Sequence, residues 1–163
     1  LLQERVPIEP GEGGEALADR LARIGAEALV TVLDQLAAGS ARPTPQDDAQ
    51  ASLAPKLTKA QGRIDWRQPA EAIERLVRAM SPWPGAAVAW RGETLKVLSV
   101  RVDDPLAHDY APGTVTGVGA SGLVVATGQG TLALTDVQPP GRRRMSAQEF
   151  LAGHRVTVGE LLG

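Results

Sequence analysis

Residues 113–137, GTVTGVGASGLVVATGQGTLALTDV, decide the fold that we predict for this chain. Three short runs rich in Val, Leu and Thr occur here, at residues 113–118, 123–127 and 131–137. The pairs Ser121-Gly122 and Gln129-Gly130 punctuate them. Short runs of this composition with Gly between them are typical of antiparallel strands joined by tight turns.

The same stretch contains Gly117-Val118-Gly119-Ala120-Ser121-Gly122, which matches G-x-G-x-x-G. Dinucleotide binding would require a helix after these glycines, because the helix N-terminus receives the pyrophosphate. Strand-like Leu123-Val124-Val125 follows instead. We therefore predict a hairpin here and no bound cofactor.

Two more strands are predicted upstream, at residues 86–90 and 94–102, with Arg91-Gly92 as their turn. A helix starting at Pro69 precedes them, and its apolar stripe ends at Pro82 and Pro84. A last helix is predicted at residues 146–151, where Ser146 and Glu149 have the spacing of a capping box. Five short strands with flanking helices predict a mostly β domain over residues 56–163, an OB-like, partly open barrel.

The front of the chain, residues 1–39, has a helical pattern. Leu17, Leu21 and Ile24 form one stripe, which Gly25 is expected to end, and Leu29, Leu33 and Leu36 form a second stripe that ends at Gly39. Two helices cannot bury these stripes alone, so we interpret them as the trailing edge of a larger, truncated domain. Residues 40–55 carry three prolines and no periodic pattern, which indicates a linker.

The composition excludes several classes of protein. The 163 residues are 43% hydrophobic, enough for one core or two small ones, and contain no apolar run long enough for a membrane span. Cysteine is absent, which excludes disulfides and thiolate chemistry and fits a cytoplasmic protein. The chain begins with Leu1 and has neither an initial Met nor a basic and apolar leader, so we expect a piece of something longer.

No catalytic or metal-binding set is predicted. Asp103, Asp104, His108 and Asp109 could hold a hard divalent ion, but Asp and His are also common in loops between strands, and we favour that reading. Glu71 and Glu74 lie one helical turn apart, where solvated pairing such as Glu71 with Arg75 is the default. Neither His108 nor His154 belongs to a recognisable triad.

The first and second parts of the chain differ in the sign of their net charge. Residues 1–55 hold four Lys or Arg against nine Asp or Glu, whereas residues 56–163 hold thirteen against ten. Lys56, Lys59 and Arg63 cluster at the entrance of the second part, and Arg142-Arg143-Arg144 follow a Pro-Pro-Gly turn. Three adjacent guanidinium groups repel one another unless an anion or an acidic partner neutralises them, and nucleic-acid phosphate is the obvious candidate. The alternative is a solvated basic surface.

Three motifs resemble one family. Residues 55–66, PKLTKAQGRIDW, are similar to the A-x-K-[LI]-[ST]-K-x-x-[AG]-x-I-x-W stretch that opens the C-terminal domain of methionyl-tRNA formyltransferases. Residues 73–84, IERLVRAMSPWP, resemble that family's helix with its Pro-Trp-Pro turn, and residues 137–146, VQPPGRRRMS, resemble its basic tail. The front segment is similar to the end of the family's Rossmann-like N-terminal domain, so the resemblance covers the whole chain.

The resemblance implies a parent enzyme that transfers a formyl group from 10-formyltetrahydrofolate to the α-amino group of methionyl-initiator tRNA. The family's catalytic Asn, His and Asp lie in the N-terminal domain. With no Asn in the chain and neither His in the family's motif, no catalytic residue is carried over, and the fragment alone is expected to be inactive. Its expected role is to hold tRNA through a set of cationic side chains: Lys56, Lys59, Arg63, Arg78, Arg142, Arg143 and Arg144.

Two other functions remain open. The chain could be the structural or interface domain of another folate-dependent formyltransferase, of the sugar-nucleotide type, with no RNA role. It could also be a free-standing OB-type binding module, although the incomplete front helices argue against that. Aromatic residues are too few for a surface built on base stacking, so RNA binding should be electrostatic and shape-based.

Overall fold

The structure is a computed structural model that describes residues 1–106, 109–119 and 121–163. It divides into two compact units, Leu1–Lys56 and Leu57–Gly163. Each unit is described by itself below. Among the described residues, no helix combines the length and the apolar character needed to cross a membrane.

The first unit is built around one helix, α1, over Gly14–Ala37. Arg20 ties this helix to the preceding segment, because its guanidinium donates to Glu12 Oε2 and to the Pro7 carbonyl, both at 2.6 Å. A 3₁₀ turn, Asp48–Gln50, follows later in the unit. None of the residues of α1, all of which are described, is buried.

The prediction of two front helices is wrong, because α1 runs through Gly25 without a break. A glycine inside a helix costs about 1 kcal/mol relative to alanine, which alanine- and leucine-rich flanks readily outweigh. Gly25 does not take the left-handed conformation of a helix cap, whereas Gly39, just after the helix, does at φ 68°. The two predicted stripes therefore belong to one helix.

The second unit begins with a 3₁₀ turn, Lys59–Gly62, and a helix, α2, over Ala70–Met80. Its strands are β1 Ala86–Trp90, β2 Glu93–Asp104, β3 Val115–Gly119, β4 Gly122–Ala126, β5 Thr131–Gln138 and β6 Met145–Ser146. A final helix, α3, spans Ala147–Gly153 and has the predicted capping box between Ser146 and Glu149. The five predicted strands are confirmed, and β6 is an additional short one.

The strands form one antiparallel sheet in the order β1-β2-β5-β4-β3, and β6 pairs with β5. Gly119 pairs with Gly122 across the β3–β4 hairpin, so the G-x-G-x-x-G stretch leads into a strand as predicted; Ala120 lies outside the described residues. The sheet path is open between β1 and β3, which confirms a mostly β, partly open barrel.

The last residues of the chain bridge the gap between β3 and β1. Val115 N donates to Glu160 O at 2.8 Å, and Gly163 N donates to Ala89 O at 2.9 Å. Gly113, at φ 89°, permits this approach, since a Cβ there would lie 2.8 Å from Leu162 O. This terminal segment, residues 159–163, thus links the two sheet edges without extending the sheet.

The core of the second unit lies between the sheet and two helices. Strand β4 is buried along most of its length and β5 along half of it, whereas β1 alternates between buried and half-buried residues. Ile73 and Val77 of α2 and Phe150 of α3 are buried in the same cluster. The amphipathic pattern of α2 therefore packs one face on the sheet and leaves its charged face toward solvent.

Candidate nucleic-acid interface

The predicted cationic residues occupy three places in the chain. Lys56 closes the first unit, and Lys59 and Arg63 follow at the start of the second. Arg78 lies on α2, and Arg142, Arg143 and Arg144 lie between β5 and β6. All of these residues are exposed except Arg78, which is half-buried.

Hydrogen bonds fix the backbone around Lys59 and Arg63. The Gln61 side chain accepts from Thr58 N at 2.7 Å and closes the 3₁₀ turn that contains Lys59. Ile64 N then donates to Ala87 O at 2.9 Å and attaches the segment to β1. Two exposed cations therefore project from a backbone that is held against the barrel.

A β-turn carries the arginine triple. Arg142 N donates to Pro139 O at 3.1 Å, and Gly141 supplies the positive φ, 65°, that suits the turn. The Gln138 side chain also donates to Arg142 O at 2.9 Å. These contacts fix the backbone of Arg142, the first residue of the triple.

Carboxylates within the chain neutralise two of the three arginines. Arg143 Nη2 lies 3.0 Å from Glu149 Oε1, and Arg144 Nη2 lies 3.2 Å from Asp136 Oδ1. Arg142 forms no ion pair with any described residue. External phosphate is thus not needed to hold the three charges together, and Arg142 is the member whose charge the described residues leave uncompensated.

Arg78 is engaged within its own helix. Its Nε donates to Glu74 Oε1 at 3.0 Å, and the side chain is 23% exposed. On the neighbouring face, Arg75 Nη1 lies 3.7 Å from Glu71 Oε2, the exposed pairing predicted from the sequence. Among the predicted cations of the second unit, Lys59, Arg63 and Arg142 therefore offer the least compensated charge.

The acidic loop has a structural role in the described residues. Asp104 Oδ1 accepts from Leu106 N at 2.8 Å, as in an Asx turn, and Asp103 pairs with Arg101 at 3.3 Å. His108 lies outside the described residues. Within the described ranges, no group of His, Asp or Glu side chains could hold a metal ion.

One exposed aromatic side chain of the second unit was not among the predicted site residues. Trp83 is 59% exposed, whereas Trp66 and Trp90 are 5% and 6% exposed in the core. A signal was available, because Pro82, Pro84 and Gly85 mark a turn around this tryptophan, and a side chain in a turn has few neighbours to bury it.

Carboxylates next to arginine have perturbed pKa values. Hydrogen bonds from the Arg67 side chain and backbone lower the pKa of Asp65 from 3.8 to about 2. The Ser146 backbone N–H, together with Arg143, lowers the pKa of Glu149. Arg91 is the main cause of the lowered pKa of Glu160. All three carboxylates are therefore structural partners of neighbouring donors and stay ionised at neutral pH.

The sequence profile of a family described as "Formyl transferase, C-terminal domain" matches residues 56–155. Across all 163 residues, the chain is 45% identical to methionyl-tRNA formyltransferase of Roseiflexus sp. (strain RS-1) and 44% identical to that of Moorella thermoacetica. It covers 50% and 52% of those proteins. The chain thus spans about half the length of the curated relatives it matches.

Solved structures show the same fold. HypX from Aquifex aeolicus in complex with tetrahydrofolic acid superposes with a TM-score of 0.57 at 19% identity, covering 82% of this chain and 26% of HypX. A HypX variant gives a TM-score of 0.58 at 22% identity, covering 78% of this chain and 22% of that one. At this identity, the likeness concerns the fold alone.

Proposed function

Because this chain belongs to the family of formyl transferase C-terminal domains, we propose that it is the tRNA-holding portion of a methionyl-tRNA formyltransferase. The parent enzyme would transfer the formyl group of 10-formyltetrahydrofolate to the α-amino group of methionyl-initiator tRNA. The parent would act in the cytoplasm, where translation begins. No residue of this chain is assigned to the folate or to the chemical step.

One observation carries this proposal. Identity of 45% to a methionyl-tRNA formyltransferase extends over the whole chain, including the linker and the front helix, and not only over the barrel. If the two proteins shared only the barrel fold, their sequence identity would be limited to the barrel residues. Continuous similarity at this level supports a shared role for the complete segment.

The exposed cations support tRNA as the partner. Phosphate is the most accessible charged group on a folded RNA, and each neutralised phosphate releases counterions, which favours binding. We assign the main phosphate contacts to Lys56, Lys59, Arg63 and Arg142. Arg78, Arg143 and Arg144 are already paired with carboxylates, so their contribution to tRNA binding is expected to be smaller.

The domain organisation forms part of the proposal. Residues 1–39 would complete a catalytic domain, and residues 56–163 would bind tRNA. Residues 40–55 would link these two domains. The apolar stripe on α1 supports this division, because Leu29 is 59% and Leu33 is 55% exposed in the first unit. Binding the tRNA body would position one amine beside the formyl donor, which lowers the entropic part of the barrier.

HypX leaves a second candidate function open. The same barrel occurs in that protein, whose structure contains tetrahydrofolic acid, at 19% sequence identity. In another folate-dependent formyltransferase the barrel could act as an interface domain without contact to RNA. The two candidates differ in one measurable property, which is salt-dependent affinity for tRNA.

Filter binding of the 163-residue chain to bulk tRNA at 50 mM and 200 mM salt tests the proposal. We expect retention at low salt and a loss of affinity of at least about tenfold at the higher salt, as for a few phosphate contacts. Absence of binding by chain that circular dichroism shows to be folded would overturn the tRNA role. A formylation assay of the chain alone should give no product. Product formation would contradict the proposal that the catalytic residues lie outside this chain.

A further inference from the structure

Trp83 is the one tryptophan of the chain that lies in solvent. A tryptophan can bury 150–250 Å² of surface, and the other two tryptophans of the chain are in the core. Trp83 instead lies just beyond α2 with 59% of its surface open to solvent. Scattered exposed aliphatic side chains are ordinary, but an indole held outward offers a large flat face to a partner.

The backbone holds this indole in place. Gly85 N donates to Met80 O at 2.8 Å and closes the segment between α2 and β1. Proline on both sides of Trp83 restricts φ, so the segment has few alternative conformations. Gly62 packs against it so closely that a Cβ there would lie within 2.0 Å of Gly85 O. Little conformational entropy would therefore be lost when a ligand contacts the ring.

Two exposed cations lie in and just after the 3₁₀ turn that contacts this segment. Arg63 directly follows Gly62, and Trp83 precedes Gly85 by two residues, so their Cα atoms are less than about 18 Å apart. Arg63 is exposed, as is Lys59 at the start of the same 3₁₀ turn, and neither forms an ion pair with a described residue. The exposed indole thus lies within about 18 Å, Cα to Cα, of the uncompensated charge of Arg63.

We propose that Trp83 is a stacking platform for one unpaired base of the RNA, with Arg63 on a neighbouring phosphate. This inference rests on the proposed tRNA-binding function and adds to it a contact with a single-stranded position. Bases in an A-form helix are stacked on each other, so only a base in a loop or at an end can present its face to the indole. Stacking of this kind is sequence-tolerant, because every base has a π-face.

The surroundings favour RNA over a protein domain as the occupant. Tryptophan and arginine are common in both kinds of interface, but lysine is depleted at the centres of protein–protein interfaces, whereas single-stranded nucleic-acid sites combine aromatic platforms with positive charge. The exposed Lys59, in the 3₁₀ turn that ends at Gly62, therefore favours the second combination. The scarcity of aromatic residues limits this surface to one stacked base, so phosphate contacts would still supply most of the affinity.

Substitution at Trp83 tests the platform in the full 163-residue chain. We expect Trp83→Ala to weaken tRNA binding about tenfold at fixed salt and to leave the salt dependence unchanged, because no charge is lost. Trp83→Phe should retain most of the affinity, since a ring remains. Tyr110→Ala, which removes an aromatic side chain that is 55% exposed in the loop after β2, is the matched control and should bind like the wild type.

Fluorescence separates the possible occupants. A short single-stranded oligoribonucleotide should quench the Trp83 emission, and the same sequence as a duplex should not. Equal binding by folded Trp83→Ala and wild-type chain would overturn the platform while leaving the tRNA role intact. Shielding of Trp83 from acrylamide in the RNA-free parent protein would also overturn it and identify a protein domain as the occupant. Failure of the wild-type chain to bind tRNA would overturn both proposals.

Discussion

Arg143 and Glu149 form an ion pair in which Arg143 Nη2 donates to Glu149 Oε1 at 3.0 Å. The other oxygen of the same carboxylate accepts from Ser146 N at 2.9 Å and caps α3. One carboxylate therefore starts a helix and neutralises one arginine of a basic triple. Since Asp136 neutralises Arg144 in the same way, Arg142 is left as the residue of the triple best placed to bind phosphate.

Arg142→Ala should reduce the salt dependence of tRNA binding. Loss of one phosphate contact is expected to lower the slope of log K against log salt by about 0.7–0.9. Arg143→Ala removes the same charge from a pre-formed ion pair and is the matched control, with a smaller expected change in slope. Filter binding at four salt concentrations measures both. Equal slopes for Arg142→Ala and the wild type would show that Arg142 makes no phosphate contact.

Asp65 should titrate at unusually low pH. Arg67 donates to it through Nε at 2.8 Å and Nη2 at 2.9 Å, and its pKa is lowered to about 2. Because the folded-state pKa is depressed, this pair stabilises the fold above pH 3.8 and ceases to do so as the pH falls toward 2. Carbon-detected NMR titration of the carboxyl group measures the midpoint.

Arg67→Ala tests the cause of that shift. The pKa of Asp65 should rise toward its usual value but not reach it, because the backbone N–H of residue 67 still donates to Asp65 Oδ1. Arg67→Lys keeps the charge but not the bidentate hydrogen bonding, and it should give an intermediate midpoint for the titration of Asp65. A midpoint that does not move in Arg67→Ala would show that the Arg67 side chain does not cause the shift and would leave it to the backbone N–H and Gln68.

Glu160→Gln should loosen the terminal segment. Glu160 Oε1 accepts from Trp90 Nε1 at 3.0 Å and Oε2 accepts from Arg91 Nη2 at 3.0 Å, and an amide, with a single acceptor oxygen, cannot serve both. We expect a loss of about 1–2 kcal/mol in urea unfolding and faster amide exchange at Val115 and Gly163. Glu93→Gln, an exposed carboxylate on β2, is the control and should be neutral. Unchanged exchange at Gly163 would contradict a fastening role for Glu160.

Gly62→Ala should destabilise the second unit. Its Cβ would lie 2.0 Å from Gly85 O, and this backbone can move only by shifting the start of β1. Such overpacking costs about 1–3 kcal/mol in the free energy of unfolding, measurable in urea. Gly153→Ala at the end of α3, where a Cβ meets nothing within 4 Å, is the matched control. A Gly62→Ala variant as stable as the Gly153→Ala variant would disprove the close contact.

Local patterns were sufficient for the elements of the barrel. The strand runs, their glycine-containing turns and the Ser146–Glu149 capping box depend on neighbours within a few residues, and all are present in the structure. The predicted helix break at Gly25 was wrong, although it too was inferred from local sequence. A single unfavourable residue was weighed without the summed helix propensity of its flanks, which keeps α1 continuous.

Residue types and spacing by themselves determined the family resemblance, the mostly β fold and the set of candidate cations, since each of these is a property of neighbouring residues along the chain. Tertiary structure alone decided which arginines of the triple are compensated, because Asp136 and Glu149 meet the arginine turn only through the β5–β6 pairing and the start of α3. It also decided that Trp83 is left in solvent and that residues 159–163 join β3 to β1. These relationships depend on how distant segments pack, and periodicity along the chain carries no information about that packing.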